Sequence, residues 1–271
     1  MISFANAKIN IGLNIVGKRS DGYHLLESVF YPFPLYDIIE ITDAPNALET
    51  TLTITGLDLS VRSDNLCLRA YHLLAEKYRL PAVHIHLHKQ IPFGAGLGGG
   101  SSDAASVLKM LNEKFNLGLS ISELEQEAEK LGADCPFFIQ NTPQYAEGIG
   151  TDFSEITLDL SDKFVVLIKP SVNIATAEAY QHVTPRPSGE DLRKLLKLPV
   201  QDWKYYVNND FEEGIFEQHP CIREVKLALY ASGALYASMS GSGSAVYGIF
   251  REPVDLTPLK DLGTCYYPTV L

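Results

Sequence analysis

The chain has 271 residues, 46% hydrophobic and 20% charged, a balance that excludes a disordered or fibrous protein and supplies length for two cores. Lys and Arg total 22 against 33 Asp and Glu, a net charge of -11, so no broad basic surface is at hand for a nucleic-acid backbone or an anionic membrane. An anionic ligand must then be held by local devices, above all by backbone N–H groups.

The four cysteines, Cys67, Cys135, Cys221 and Cys265, form no Cys-x-x-Cys pair, which argues against a zinc knuckle or redox motif. Lys8, Asn10 and Asn14 interrupt the apolar positions near the N-terminus. Neither a signal peptide nor a membrane span is expected, and a cytoplasmic protein is.

In chain order, Ile9, Ile11, Leu13 and Ile15 alternate with Asn10, Gly12 and Asn14, the period of a half-buried strand that sets Lys8 and Asn10 on one polar face. A second alternating run, Val83 to His88, leads through Lys89, Gln90 and Pro92 into a glycine-rich stretch. Ala104, Val107, Leu108, Leu111 and Phe115 then recur at helical spacing. Ser120 with Glu123, or Ser122 with Glu125, suits a capping box for a further helix that stops at Gly132. Asp134 follows, between that stop and Pro136, and Phe137 to Ile139 reads as a strand. Polar sequence through Gly148 and Gly150 places a soft boundary between domains 1–150 and 151–271. Beyond it we expect a strand at Phe164 to Ile168, helices around Leu192 to Leu196 and Ile222 to Tyr230, and a strand-turn-strand about Met239 to Ser244. Strands and helices mix without regular βαβ alternation, which makes the class α+β.

The most informative stretch is Pro92-Phe93-Gly94-Ala95-Gly96-Leu97-Gly98-Gly99-Gly100-Ser101-Ser102, between a strand and a helix. Glycines let successive N–H groups converge on an anion, and the helix N-terminus adds roughly half a positive charge. A flexible loop is the bland alternative, but five glycines in the seven positions 94–100 weaken local structure unless backbone approach is needed. A Walker loop requires Lys before the Ser, and Gly100 stands there. Gly94 to Gly99 does match Gly-x-Gly-x-x-Gly, yet a dinucleotide fold needs a second strand about 20 residues on, where a second helix is expected instead.

These residues resemble the GHMP kinase superfamily. Three blocks match in order: Ala7-Lys8-Ile9-Asn10, the loop from Pro92 to Ser102, and the turn Ser240-Gly241-Ser242-Gly243. A fourth, Lys18-Arg19-Ser20-Asp21-Gly22-Tyr23-His24, is similar to the Arg-x-Asp-Gly-Tyr-His signature of one branch, whose alcohol substrate carries a cytidine diphosphate and belongs to the non-mevalonate route to isoprenoid precursors. The blocks from Lys8 to Glu147 span about half the chain, with thinner matches at Thr176 and at Asn209-Asp210-Phe211-Glu212. Ala95 departs from the glycine frequent there in the family, keeping every N–H donor while narrowing the loop.

The resemblance implies a two-domain kinase fold, ATP as phosphoryl donor with Mg²⁺ accompanying it, and a small-molecule acceptor. A monomer or weak homodimer is expected. It assigns Asp134 as the base that takes the hydroxyl proton and Lys8 as the cation that keeps it ionised and neutralises charge on the transferred phosphoryl group. By residue type alone, Asp134 is a turn residue and Lys8 a solvated strand residue. Pro92, Phe93, Gly94, Ala95, Gly96, Leu97, Gly98, Gly99, Gly100, Ser101 and Ser102 would line the nucleotide.

Asn65, within Asp64-Asn65-Leu66, and Lys89 resemble adenine-pocket residues, though each equally suits a helix cap or a surface lysine. Tyr23 would stack on cytosine and His24 would read its edge. Tyr180, four residues after Thr176, would close the other side or sit in a helix core, and Asn10 and Thr176 would contact substrate. Ser101 or Ser102 is a candidate Mg²⁺ ligand, although the sequence does not identify that site. For the row His84, His86, His88, strand alternation explains the spacing, and no nearby Asp, Glu or Cys completes a zinc site.

Overall fold

The computed structural model describes residues 1–57, 65–187 and 189–269, so Asp64 lies outside the described residues. The chain forms two compact units, each drawn from several segments. The first comprises Met1–Ala7, Pro34–Pro92 and Gly98–Thr142; the second comprises Lys8–Phe33, Phe93–Leu97 and Pro143–Leu271. The division differs from contiguous halves 1–150 and 151–271 because residues 8–33 and 93–97 cluster with the C-terminal sequence. The class is α+β.

Strand β1 (Ile2–Lys18) pairs with β2 (His24–Asp43), and both strands contribute to both units. The expectation of a half-buried β1 is corrected: every residue from Ala5 to Leu13 is buried. Leu192 and Val207 crowd the position a Cβ on Gly12 would take, and its left-handed φ of +69° also favours glycine, while Lys8 and Asn10 enter an internal polar network.

In the first unit, β3 (Thr51–Gly56) runs parallel to β4 (Val83–Lys89), which pairs antiparallel with residues 38–43 of β2. Helix α1 (Leu66–Tyr78) packs on α2 (Gly99–Lys114), burying Ala70, Leu74, Ala104, Val107, Leu108 and Leu111. The histidine row of β4 lies along β3. His84 is 2.8 Å from the Thr51 hydroxyl, and His86 and His88 are 2.8 and 3.0 Å from that of Thr55. Among the described residues no group of three or more His, Cys, Asp or Glu is arranged to hold a metal.

Helix α3 (Ile121–Glu129) opens on the Ser120–Glu123 box and ends before Gly132, with Lys130 as its cap. Phe137 to Ile139 is not a strand but the short helix α4 (Phe137–Gln140). Pro136 opens it, Asn141 closes it in the left-handed region, and all three apolar residues are buried, so the run had no helical period to show.

The second unit begins with the hairpin β5 (Gln144–Glu147) and β6 (Asp152–Glu155), whose turn is the Gly148–Gly150 stretch, and β5 pairs with Ser28–Phe30 of β2. Then come β7 (Phe164–Lys169), α5 (Thr176–Gln181), α6 (Leu192–Leu195), α7 (Trp203–Tyr206), α8 (Phe211–Gln218) and α9 (Pro220–Ala231). Strands β8 (Tyr236–Met239), β9 (Val246–Phe250) and β10 (Thr264–Tyr266) complete an antiparallel sheet in the order β10-β7-β9-β8. Ile222, Val225 and Leu229 of α9 join Val166, Ile168 and Val246 in its core.

Candidate active site

In the second unit, Lys8 and Asn10 are respectively 4% and 3% exposed, so strand alternation delivers both to an interior face. Burying an ammonium is costly unless polar groups surround it. The Nζ of Lys8 donates to Asn10 Oδ1 at 2.5 Å and lies 4.6 Å from the centre of the Phe30 ring. Asn10 Nδ2 donates to Ser28 Oγ at 2.9 Å, and Ser28 in turn donates to the Gly12 carbonyl. The main-chain N–H of Asn10 donates to Ser240 Oγ, and its carbonyl accepts from the Tyr247 hydroxyl. Asn10 therefore orients Lys8.

The same network reaches the first half of the glycine stretch. Lys8 N–H donates to Leu97 O at 2.9 Å, and Ser240 Oγ donates to Gly96 O at 2.9 Å. Ser244 and Ala245 N–H groups donate to the carbonyls of Gly94 and Ala95. The β8–β9 turn thus grips the carbonyl side of Gly94–Gly96. Asn209 braces that turn by donating to Met239 O and Gly241 O, both at 2.8 Å, and Glu212 accepts from Met239 N–H and Ser238 Oγ. Asn209 and Glu212 stood in a recognisable sequence block, but no local pattern gave them this task. Ser28 and Tyr247 carried no sequence signal at all.

In the first unit, Gly98 takes a left-handed φ of +68° and starts α2, so Gly99, Gly100, Ser101 and Ser102 are helical and not loop. The helix has no side-chain cap hydrogen bond and no acidic residue in its first turn. Its leading N–H groups, which have no acceptor within a helix, are therefore suited to an anion.

Below them Lys89 is 1% exposed and is not a surface lysine. Its Nζ donates to Asp37, and to Asp103 Oδ2 at 2.7 Å. The two carboxylates hold the ammonium protonated despite its burial, while burial pushes the Asp103 carboxyl well above the usual carboxylate range. Asn65 is the N-cap of α1, its Oδ1 accepting from Cys67 N–H at 2.9 Å.

Asp134 is half-buried in the turn before α4. The adjoining Cys135 is fully buried, and burial pushes its thiol up to about 11.

The Arg19–His24 turn closes on an Arg19–Asp21 ion pair of 2.7 Å and leaves Tyr23 62% exposed. His24 stacks on Tyr180, with centroids 4.7 Å apart and planes at 20°, and Tyr180 meets the Phe211 ring edge-on. The structure therefore brings together His24 and Tyr180, with Tyr23 exposed beside His24 in sequence. Burial, aided by Lys18, lowers the His24 pKa and favours the neutral imidazole, which both donates and accepts. Thr176 is exposed at the start of α5, its Oγ1 3.5 Å from Ser242 Oγ.

Residues 65–141 match the GHMP kinases N terminal domain, and residues 188–260 match GHMP kinases C terminal. The 4-diphosphocytidyl-2-C-methyl-D-erythritol kinase of Bacteroides fragilis is 50% identical over 261 residues, covering 96% of this chain and 95% of its own. That of Bacteroides thetaiotaomicron is 51% identical over 266 residues, covering 97% of each. A crystal structure of 4-(cytidine 5'-diphospho)-2C-methyl-D-erythritol kinase superposes with a TM-score of 0.85 at 32% identity, over 98% of both chains. With identity at this level along nearly the whole length, the chain belongs to the 4-diphosphocytidyl-2-C-methyl-D-erythritol kinases of the GHMP kinase superfamily.

Proposed function

We infer that this chain transfers the γ-phosphoryl group of ATP to the 2-hydroxyl of 4-diphosphocytidyl-2-C-methyl-D-erythritol, in the non-mevalonate route to isoprenoid precursors. The observation that carries this reading is near-full-length identity of about half to relatives bearing that name. A new bond forms between the substrate oxygen and the γ-phosphorus, the bond from that phosphorus to the β–γ bridging oxygen breaks, and ADP leaves. Asp134 takes the hydroxyl proton, and the buried ammonium of Lys8, oriented by Asn10, offsets negative charge on the phosphoryl oxygens. The uncapped start of α2 and the backbone of Pro92–Ser102 receive the nucleotide phosphates.

Mg²⁺, brought with the nucleotide, would add charge neutralisation, and Ser101 or Ser102 is our candidate for its protein oxygen. Tyr23 and Tyr180 supply aromatic faces for cytosine, His24 its polar edge, and Thr176 a contact to substrate; Asn65 and Lys89 border the adenine side. No helix among the described residues is long and apolar enough to cross a membrane, and a cytoplasmic enzyme, monomeric or weakly dimeric, suits this chemistry.

The test is ADP release with a panel of alcohols. The cytidine-diphosphate-linked substrate should be turned over efficiently and free methylerythritol very poorly, because binding energy of the remote nucleotide orients the reacting hydroxyl. Comparable kcat/KM for the two would overturn the assignment.

A further inference from the structure

Three segments of the first unit converge on one buried ammonium. Asp37 of β2 accepts from Gln90 N–H at 2.6 Å and Ile91 N–H at 2.8 Å through Oδ1, and from Lys89 Nζ through Oδ2. Lys89, the last residue of β4, reaches across to Asp103 of α2. The three side chains are 0%, 1% and 3% exposed for Asp37, Lys89 and Asp103. The start of α2 rests directly on this cluster. A Cβ added to Gly99 would lie 2.8 Å from Ile91 Cγ2 and 3.1 Å from Lys89 Nζ.

Stability alone does not account for such a group. Two buried carboxylates face one ammonium, and Asp103 Oδ1 is buried without a hydrogen-bond partner among the described residues. Burying ions costs several kcal/mol each, and an apolar cluster of similar volume commonly folds as well or better. What the ions provide is direction. Asp37 holds the main-chain N–H groups of Gln90 and Ile91 where the chain leaves β4, and Lys89 links the end of β4 to α2 through Asp103.

We propose that Asp37, Lys89 and Asp103 form a positioning cluster that sets the first turn of α2, and hence the phosphate-binding N–H groups, in the orientation that receives the nucleotide. The proposal rests on the reading of that turn as a nucleotide site. It makes Lys89 act through the helix start and not by donating from its side chain to the base.

The test measures binding of the magnesium complex of a non-hydrolysable ATP analogue by calorimetry, with the KM of the alcohol substrate alongside, on the whole chain. Asp103→Ala leaves the Asp37–Lys89 pair in charge balance, so the chain should fold while α2 loses its tie. Analogue affinity is expected to fall about tenfold or more, with the KM of the alcohol moving less than about twofold. Asp103→Asn keeps an acceptor for Lys89 and should restore affinity to within about threefold of the starting protein. Asp103→Val, which also lacks an acceptor, is the second variant, with the same expectation as Ala should Ala not fold.

Unchanged analogue affinity in the folded Ala or Val variant, equal losses for both ligands, or failure of Asn to rescue would overturn the proposal. Absence of analogue binding by the unaltered chain would overturn the nucleotide reading, and the proposal with it.

Discussion

Gly96→Ala inserts a methyl where a backbone carbonyl already sits. An ideal Cβ on Gly96 would lie 1.9 Å from Ser240 O and 2.8 Å from its carbonyl carbon, and the φ of +72° is one that L-residues rarely adopt. Holding alanine in the left-handed region costs roughly 1–2 kcal/mol. Relieving the overlap must also part the β8–β9 turn from the glycine segment, giving up the Ser240 Oγ to Gly96 O bond and the Ala245 N–H to Ala95 O bond. At a net of about 1 kcal/mol each, the whole loss is about 3–4 kcal/mol. Urea denaturation followed by far-UV circular dichroism reads it directly, and kcat/KM for ATP should fall in parallel as the segment moves away from Lys8 N–H. Ala95→Gly is the control. It keeps every backbone acceptor, and its cost is about 1 kcal/mol from backbone freedom and a lost methyl. A Gly96→Ala midpoint displaced no further than that of Ala95→Gly would refute the clamp.

Asp134→Asn should cut kcat by at least about 10² while an ATP analogue still binds within about threefold, because the amide keeps the shape but cannot take the proton; rapid-quench turnover retaining most of kcat would remove Asp134 from the base role. Lys8→Ala should lower kcat by a comparable factor, whereas an effect confined to KM would mark Lys8 as a ground-state binder. Tyr23→Ala and Tyr180→Ala should each weaken the cytidine substrate by roughly 1–3 kcal/mol in calorimetry and leave ATP affinity unchanged, and indifference in both would sink the stacking assignment. Because the folded-state pKa of Asp103 is raised, the folded chain binds this proton more tightly than the unfolded one. Its contribution is complete below the ordinary carboxylate pKa of about 4 and is lost as pH rises toward the folded value, so Asp103→Asn should flatten the fall in urea midpoint between about pH 5 and pH 8.

The elements with a clean period were legible. The α2 stripe, the Ser120–Glu123 box and the alternating β4 each announced themselves locally, as did the glycine stretch. Phe137–Ile139 did not, because a short run buried on all sides shows no alternation in either period, and Pro136 was the only clue to a helix start. The division into units was hidden for a different reason: residues 8–33 and 93–97 pack with sequence far downstream, and no composition shift marks such a crossing. At the site, residue types chosen for chemistry stood out, whereas those that hold them did not. Asn10 suited a substrate contact but its amide is occupied by Lys8 and Ser28, and Lys89 suited a surface lysine but is enclosed by two carboxylates. Each of these partners lies 14 or more residues away except the Lys8–Asn10 pair, two apart, whose contact across one strand face was the single positioning relation open to sequence alone.

A chain of net charge -11 that handles a triphosphate and a diphosphate cannot draw on its overall field, which repels both ligands. The attraction has to be short-range, and the buried cations differ in what they leave over for a ligand. Lys89 is enclosed by two carboxyl groups, of which Asp37 already balances its charge, and this leaves it to serve geometry. Lys169, buried at the end of β7, instead donates to three neutral oxygens, those of Pro170, Val172 and Asn173. Val172 O also accepts from Ser244 Oγ, and Asn173 packs at Gly94. A cation solvated by dipoles keeps its field, attenuated but not cancelled, and it does so beside the segment assigned to phosphates. Backbone N–H groups and the α2 dipole act over still shorter distances. Acidic residues elsewhere on the surface disturb this arrangement little, since solvent and salt screen them within about 10 Å.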